Sequence, residues 1–149
     1  MAADRLLETA KAQADAQVSE RNAREKAEMM RQLGMDEGEN ATKASRTMIR
    51  QLEEDQKRRS KRALTDAIDR ALIDLLAIYR DVLMVQVGGD GELINTDLAD
   101  LVHEIAQDST PRQTLARVDH IETARKRLVS NGNPLLVLED MAISLRPQA

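Results

Sequence analysis

The stretch ALTDAIDRALIDLLAIYRDVLMVQVGG (63–89) decides the fold of this 149-residue chain. Its apolar stripe recurs every three or four residues, which is the spacing of one face of an α-helix. Additional apolar residues such as Ile73 and Met84 widen that face, as is typical of a helix surrounded by other helices. The stripe consists of Leu64, Ile68, Leu72, Leu75, Leu76, Tyr79, Val82 and Leu83. We therefore predict that this helix lies at the centre of a helical bundle.

Three shorter helices are predicted after Gly88-Gly89, the first over about Thr96–Gln107. The second begins at Thr110-Pro111, where Thr110 and Gln113 have the spacing of a reciprocal helix cap, and the third begins similarly at Asn133-Pro134. The predicted buried stripe of the second consists of Leu115, Val118, Ile121 and Leu128. Strand-like alternation is absent from the sequence. The fold class is therefore all-α, with a bundle of four to five helices at 63–149.

The bundle is preceded by a long charged helical arm with little apolar surface. We divide it into a helix rich in alanine and charge at 1–33, a linker at 34–41 and a charged helical arm at 42–62. The best stripe of the first helix consists of Leu7, Ala10, Ala14 and Val18, followed by Ala27 and Met30. Because alanine buries little apolar area and isolated helices are marginal, this helix needs a partner surface to become rigid.

The most visible charged feature is the basic run KRRSKR (57–62). One interpretation is contact with nucleic-acid phosphates. The favoured interpretation is a solvated helix in which the three acids at 53–55 pair with basic residues four positions later, as Glu53–Lys57, Glu54–Arg58 and Asp55–Arg59. Residues 63–149 carry 8 basic and 14 acidic side chains, and Tyr79 is the only aromatic residue available for base stacking, so nucleic-acid contact is disfavoured.

No motif in the sequence indicates an active site. The chain has no cysteine, which excludes disulfides, thiolate metal sites and a cysteine nucleophile. His103 and His120 lack a second ligand at helical metal-site spacing and are expected at the surface. The acids of the central helix are expected to form a solvated face, consisting of Asp66, Asp69, Asp74 and Asp81. We therefore expect a protein that is not an enzyme and that needs no metal, cofactor or small molecule.

The sequence also lacks a secretory signal and an apolar run of the roughly 20 residues that span a bilayer. A cytoplasmic location without a membrane partner is therefore expected.

Two longer motifs carry a family resemblance. The stretch ALIDLLAIYRDVLMVQVG (71–88) resembles the first collar helix of clamp-loader subunits, in which a Tyr-Arg-Asp follows a leucine-rich turn. The stretch 110–146 resembles the end of the same domain, where I-x-x-A-R-x-x-L leads to N-x-N-P-x-L-x-L-E-x-M and a final L-R. Those positions are Ile121, Ala124, Arg125, Leu128, Asn131, Asn133, Pro134, Leu136, Leu138, Glu139 and Met141. Together with the run-in at 51–72, they resemble the carboxy-terminal collar domain of delta-prime subunits of bacterial DNA polymerase III clamp loaders.

This resemblance implies a collar domain that holds a subunit in the loader ring. Its partners would be the ATPase (gamma/tau) and delta subunits, with DNA contacted only indirectly through the complex. The AAA+ phosphate-binding motif is absent, so we expect a carboxy-terminal piece of a longer subunit. Arginine is enriched at protein interfaces, so Arg80, Arg112 and Arg125 are the predicted polar anchors. A core position is favoured for Tyr79, and a helix-capping role is favoured for Asn133. The predicted interface residues are Tyr79, Arg80, Arg112, Arg125, Asn131 and Asn133.

Two other functions are open alternatives. A stand-alone helical adaptor or coiled-coil protein would need sustained heptads of Leu, Ile or Val, whereas the first helix offers mostly alanine. A phosphotransfer bundle would need an indispensable histidine, either His103 or His120.

Overall fold

The computed structural model describes residues 2–34 and 42–147, which form five α-helices and no β-strand. The helices are α1 (Ala2–Gln32), α2 (Lys43–Gln86), α3 (Ala99–Gln107), α4 (Pro111–Val129) and α5 (Pro134–Ser144), and a short 3-10 turn at Thr96–Leu98 precedes α3. The predicted all-α class is therefore confirmed.

The chain divides into two compact units, to both of which α1 and α2 contribute. The bundle unit comprises Met1–Glu8 and Ile68–Ala149, and the hairpin unit comprises Thr9–Ala67. The domain ranges predicted from the sequence stay predictions. Apart from Gly34, the predicted linker 34–41 lies outside the described residues.

The core of the bundle unit is built from the apolar stripes of four helices. Its large side chains with no more than 1% exposure are Ile68, Leu72 and Val82 of α2, Val102 of α3, Ile121 of α4 and Leu138 of α5. Ile68, Leu72, Val82 and Ile121 belong to the stripes that the sequence predicts. Burying each such side chain stabilises the fold by about 1.5–3 kcal/mol relative to leaving it exposed. The second half of α2 is therefore a central element of this unit, as predicted.

The buried face of α4 differs from the predicted one. Ile121 and Leu128 of the predicted stripe are buried, but Leu115 is 51% exposed. The other buried residues of α4 are Thr114, Arg117 and Ala124. The reason is a polar contact, since the Thr114 hydroxyl donates to the side-chain oxygen of Gln86 on α2 at 2.8 Å. Burying a hydroxyl that has a hydrogen-bond partner costs little desolvation free energy. Thr114 can therefore occupy the buried position that the apolar pattern predicts for Leu115.

The caps of α4 and α5 are those that the sequence predicts. Thr110 and Gln113 form the reciprocal capping box, and the Asn133 side chain accepts from the backbone N–H of Leu136. Between the two helices, Asn131 adopts a left-handed conformation with φ of 63°. Gly132 donates its backbone N–H to the carbonyl of Arg127 at 2.8 Å. These contacts determine how the chain passes from α4 into α5.

In the hairpin unit, α1 and α2 run antiparallel and pack through small residues. Ala14 and Val18 of α1 are buried with Ala63 of α2, and Leu64 packs against them. The partner surface that α1 needs is therefore α2 of the same chain. The predicted stripe from Leu7 to Val18 is buried, whereas its predicted continuation at Ala27 is exposed.

Beyond Val18 the hairpin contact continues through polar side chains. Arg59 of α2 donates through Nη1 to the Asn22 side-chain oxygen at 2.8 Å and to Glu25 at 2.9 Å. Gln56 donates to the Asn22 carbonyl at 2.8 Å. The Asn22 amide also lies 3.5 Å from the Ser60 hydroxyl. A search for apolar residues alone misses this polar layer, which is why the predicted stripe is wrong at Ala27.

Candidate functional site

Among the six predicted interface residues, the tyrosine belongs to the core of the bundle unit. Tyr79 is 8% exposed and lines a cleft with Arg117, a buried residue of α4. Burial raises the pKa of the Tyr79 phenol, and the nearby charge of Arg117 opposes that shift. The remaining lining residues of the cleft are Leu101, Glu104, Ile105, Asp108, Leu145 and Pro147. The side chain of Tyr79 therefore has a packing role within the unit.

The second residue, Arg80, is part of a polar cluster around a buried acid. Its Nη1 donates to Asp81 at 2.8 Å and to the carbonyl of Glu92 at 3.1 Å. Asp81 is fully buried and also accepts from the backbone N–H groups of Ile94 at 3.0 Å and Asn95 at 2.8 Å. The expectation that Asp81 lies on a solvated face is therefore wrong. The connection after α2 folds over the carboxylate and supplies its hydrogen-bond donors.

This cluster stabilises the ionised form of the acid. Burial alone would raise the pKa of Asp81, but the hydrogen bonds from Asn95, Ile94 and Arg80 outweigh it and lower that pKa from 3.8 to about 2. The carboxylate is therefore a charged structural group and not an acid tuned to exchange protons near neutral pH.

Arg125 links α4 to α2 inside the bundle unit. Its Nε donates to Asp69 at 2.7 Å, and its Nη1 lies 3.3 Å from Glu122. The hydrogen bond to Asp69 is the main cause that raises the pKa of the guanidinium. Asp69 is therefore a second acid of α2 that has a structural partner, whereas the sequence predicted that it lies on a solvated face.

The last three predicted residues lie on α4 and at its carboxyl end. Asn131 and Asn133 are exposed and shape the α4–α5 connection, as described above. Arg112, the second residue of α4, is exposed and makes no hydrogen bond or ion pair within the described part of the chain. Its guanidinium is therefore available to a partner without loss of an internal contact.

Exposed apolar side chains mark a surface that the site prediction missed. Leu136 and Ile143 of α5 are 63% and 61% exposed. They are seven residues apart, so they lie on the same side of the helix, which we call the α5 face. The periodicity of α5 places its leucines on several sides, and only the packing shows which of them remain in solvent.

An apolar groove lies on the other side of α5. It has a volume of about 220 Å³ and brings the first turn of α1 next to α2 and α5 in the bundle unit. The groove is lined by Ala2, Ala3, Leu6, Leu75, Leu138, Met141, Ala142 and Leu145. The start of α1 therefore helps to cover the inner side of α5.

His103 and His120 are exposed, as the sequence predicts. Within residues 2–34 and 42–147, no cluster of three or more histidines and acids has the arrangement of a metal site. No helix in those ranges combines the length and the apolar character that crossing a bilayer requires.

Comparison with known proteins places this architecture in a family. The family model for "DNA polymerase III, delta subunit, C terminal" matches residues 39–146. A curated relative, DNA polymerase III subunit delta' of Bacillus subtilis (strain 168), is 36% identical over 72 residues. This match covers 48% of the chain and 22% of the relative, so the chain corresponds to about a fifth of that protein. No solved structure matches the chain.

Proposed function

The chain belongs to the family of C-terminal domains of DNA polymerase III delta subunits, and we propose that its bundle unit is a collar domain that holds a delta-prime subunit in a clamp-loader ring. The unit acts as an assembly element in the cytoplasm and carries out no catalysis of its own. Its partners are the ATPase (gamma/tau) and delta subunits of the same loader, and the ring that they form loads the sliding clamp during DNA replication.

The α5 face is the observation that supports this proposal. Leu136 and Ile143 leave most of their apolar surface in water beside the exposed acids Glu139 and Asp140, while the opposite side of α5 packs on the bundle. The centre of a stable interface is depleted in charge and buries apolar side chains. A second helical subunit that covers this face would remove both residues from water.

Arg112 is the best polar anchor among the predicted residues. Truncating Arg80 or Arg125 would also remove internal hydrogen bonds, to Asp81 and Asp69 respectively. The interface role of Tyr79, Arg80, Arg125, Asn131 and Asn133 stays a prediction, and substitutions there report on folding as well as on binding. Substitution of Arg112 and of the α5 face separates the two effects.

The test is size-exclusion chromatography with light scattering on the chain mixed with the carboxy-terminal domains of the ATPase and delta subunits. We expect a complex of defined stoichiometry. The paired substitution Leu136→Asp/Ile143→Asp should weaken it at least roughly tenfold, which corresponds to about 1.4 kcal/mol. Ile73→Asp is the matched control, because Ile73 is also an exposed apolar side chain and lies on α2, a different helix from those that carry the α5 face and Arg112. A stable self-dimer that ignores these partners would contradict the proposal and favour a stand-alone adaptor.

The hairpin packing bears on the adaptor alternative. The apolar positions of α1 that a coiled coil would use, Ala14 and Val18, are buried against Ala63 of the same chain. A second chain would have to displace α2 to reach them. The internal partner of α1 therefore supports an assembly role for the bundle unit over a coiled-coil role for α1.

A further inference from the structure

The proposed function does not account for a line of basic residues on α2 in the hairpin unit. Lys43, Arg50, Lys57 and Lys61 follow one another at intervals of seven, seven and four residues, so they lie on one side of the helix. All four side chains are exposed. We call these four residues the basic stripe. The surrounding stretch 43–62 carries eight basic and three acidic residues.

The basic stripe lies beside the face of α2 that contacts α1. The contacts with α1 are made by Glu53, Gln56, Arg59, Ser60, Ala63 and Leu64. Lys57 and Lys61 are about 200° around the helix axis from Arg59 and about 60° from Ser60 and Leu64 respectively, so they flank this contact without taking part in it. The stripe is therefore not needed for the hairpin contact, and packing within this unit does not explain its charge.

The acids near the stripe have other partners. Glu53 pairs with Lys26 of α1 at 2.9 Å, and Asp55 pairs with Arg58 at 2.8 Å. Arg59 pairs with Glu25 across the hairpin. The predicted pairs Glu53–Lys57, Glu54–Arg58 and Asp55–Arg59 are therefore wrong, and the pair that remains within this stretch of α2 is Asp55–Arg58.

The four residues of the basic stripe make no ion pair with the described residues. Glu54 is the one acidic residue between them on the same side of α2. Within the described residues, the stripe thus presents four cations without an ion-pair partner, with Glu54 as one acidic interruption.

The chemistry of the stripe identifies the partner. From Lys43 to Lys61 the helix rises about 27 Å at 1.5 Å per residue, which is roughly eight base-pair steps of a duplex. Lysine is depleted at protein interfaces, and flexible ammonium groups suit phosphate contacts that carry no sequence information. The stripe has no aromatic residue on which an unpaired base could stack. The geometry points to a surface that binds the phosphate backbone of duplex DNA without reading its sequence.

This inference does not rest on the collar assignment, since the stripe lies in the hairpin unit and the α5 face in the bundle unit. It departs from the expectation that DNA is contacted only indirectly. Each proposal therefore fails or stands by its own experiment.

The test uses fluorescence anisotropy of the full chain with a labelled duplex of mixed sequence about twice as long as the stripe. We expect log K to fall with log salt concentration with a slope of about −4, because four phosphate contacts each contribute about −0.9. Lys57→Gln/Lys61→Gln should weaken binding roughly tenfold at low salt and reduce the slope by about 2. Glu54→Lys should strengthen binding, because it completes the stripe.

The matched control is Arg21→Gln/Arg24→Gln, which removes the same charge from exposed positions of α1. This variant should keep the wild-type affinity and slope, and circular dichroism checks that all variants stay helical. Absence of binding at low salt, or equal weakening in both double variants, overturns the inference. Tighter binding of a single strand, or binding of poly-glutamate in place of the duplex, also overturns it and assigns the stripe to a different partner.

Discussion

Asn95 donates two hydrogen bonds to one carboxylate oxygen of Asp81, from its backbone N–H at 2.8 Å and from its side-chain amide at 3.1 Å. The other oxygen accepts from the Ile94 N–H at 3.0 Å and from Arg80 at 2.8 Å. A fully buried carboxylate thus holds the connection between α2 and α3 against α2. This connection carries no buried apolar side chain between Gly88 and Leu98, so the carboxylate is its main attachment.

The first prediction concerns the stability that Asp81 contributes. Asp81→Asn places an amide N–H₂ group opposite existing donors and removes the charge, so at least one buried donor loses its partner. We expect the free energy of unfolding to fall by about 1–3 kcal/mol. Urea unfolding followed by circular dichroism measures the change. Asp74→Asn is the control, since Asp74 is an exposed acid of the same helix and should change stability by less than about 0.5 kcal/mol.

The second prediction concerns pH. The pKa of Asp81 is about 2 in the folded chain and lies near its ordinary value of 3.8 in the unfolded chain. A lowered folded-state pKa contributes stability that is present above about pH 4 and is lost as the pH falls towards 2. Unfolding free energies measured across this range should therefore decline less steeply in Asp81→Asn than in the wild type. Equal declines in both proteins would show that the carboxylate is not preferentially ionised in the folded state.

The third prediction concerns the polar layer of the hairpin unit. Arg59→Gln removes the hydrogen bonds to Asn22 and Glu25, and the Arg59 hydrogen bond is the main cause of the lowered pKa of Glu25. We expect faster amide hydrogen exchange in α1 between Ser19 and Gln32. The neighbouring Arg58→Gln removes only an exposed pair with Asp55 and should leave this exchange unchanged. Equal effects of both variants would contradict a specific role for Arg59.

The fourth prediction concerns the connection between α4 and α5. A Cβ atom at Gly132 would lie 2.7 Å from the Arg127 carbonyl oxygen and 2.9 Å from Val137. The oxygen belongs to the backbone and cannot move away alone, so Gly132→Ala should destabilise the chain by about 1–3 kcal/mol. Thermal unfolding gives the change in midpoint. A Gly89→Ala variant is the comparison, because its close neighbour is the flexible end of Met84, and it should cost less.

The helices, their caps and most of the core follow from local sequence patterns. The apolar period around Ile68, Leu72 and Val82 predicts the central helix, and the Thr110 and Asn133 caps predict two helix starts. These signals lie within a few residues of one another, so the sequence contains them in full. The motif order at 110–146 likewise points to the family that the comparisons show.

The interaction surfaces depend on contacts between distant segments. Helical spacing predicts the pairs Glu53–Lys57 and Asp55–Arg59 along α2, yet Glu53 pairs with Lys26 and Arg59 with Glu25 of α1. The basic stripe becomes visible only once those pairs are known. In the same way, the exposed sides of Leu136 and Ile143 depend on which side of α5 the bundle covers.

Asp74 and Asp81 show what helical periodicity in the sequence does not predict. They are seven residues apart on the same side of α2, and helical periodicity treats them alike. Asp74 is exposed, while Asp81 is fully buried because residues 94 and 95 fold over it. The sequence by itself determined the helices, the caps of α4 and α5 and the apolar side of the second half of α2. Only the tertiary structure decided which polar groups are buried, because their donors come from segments that meet when the chain folds.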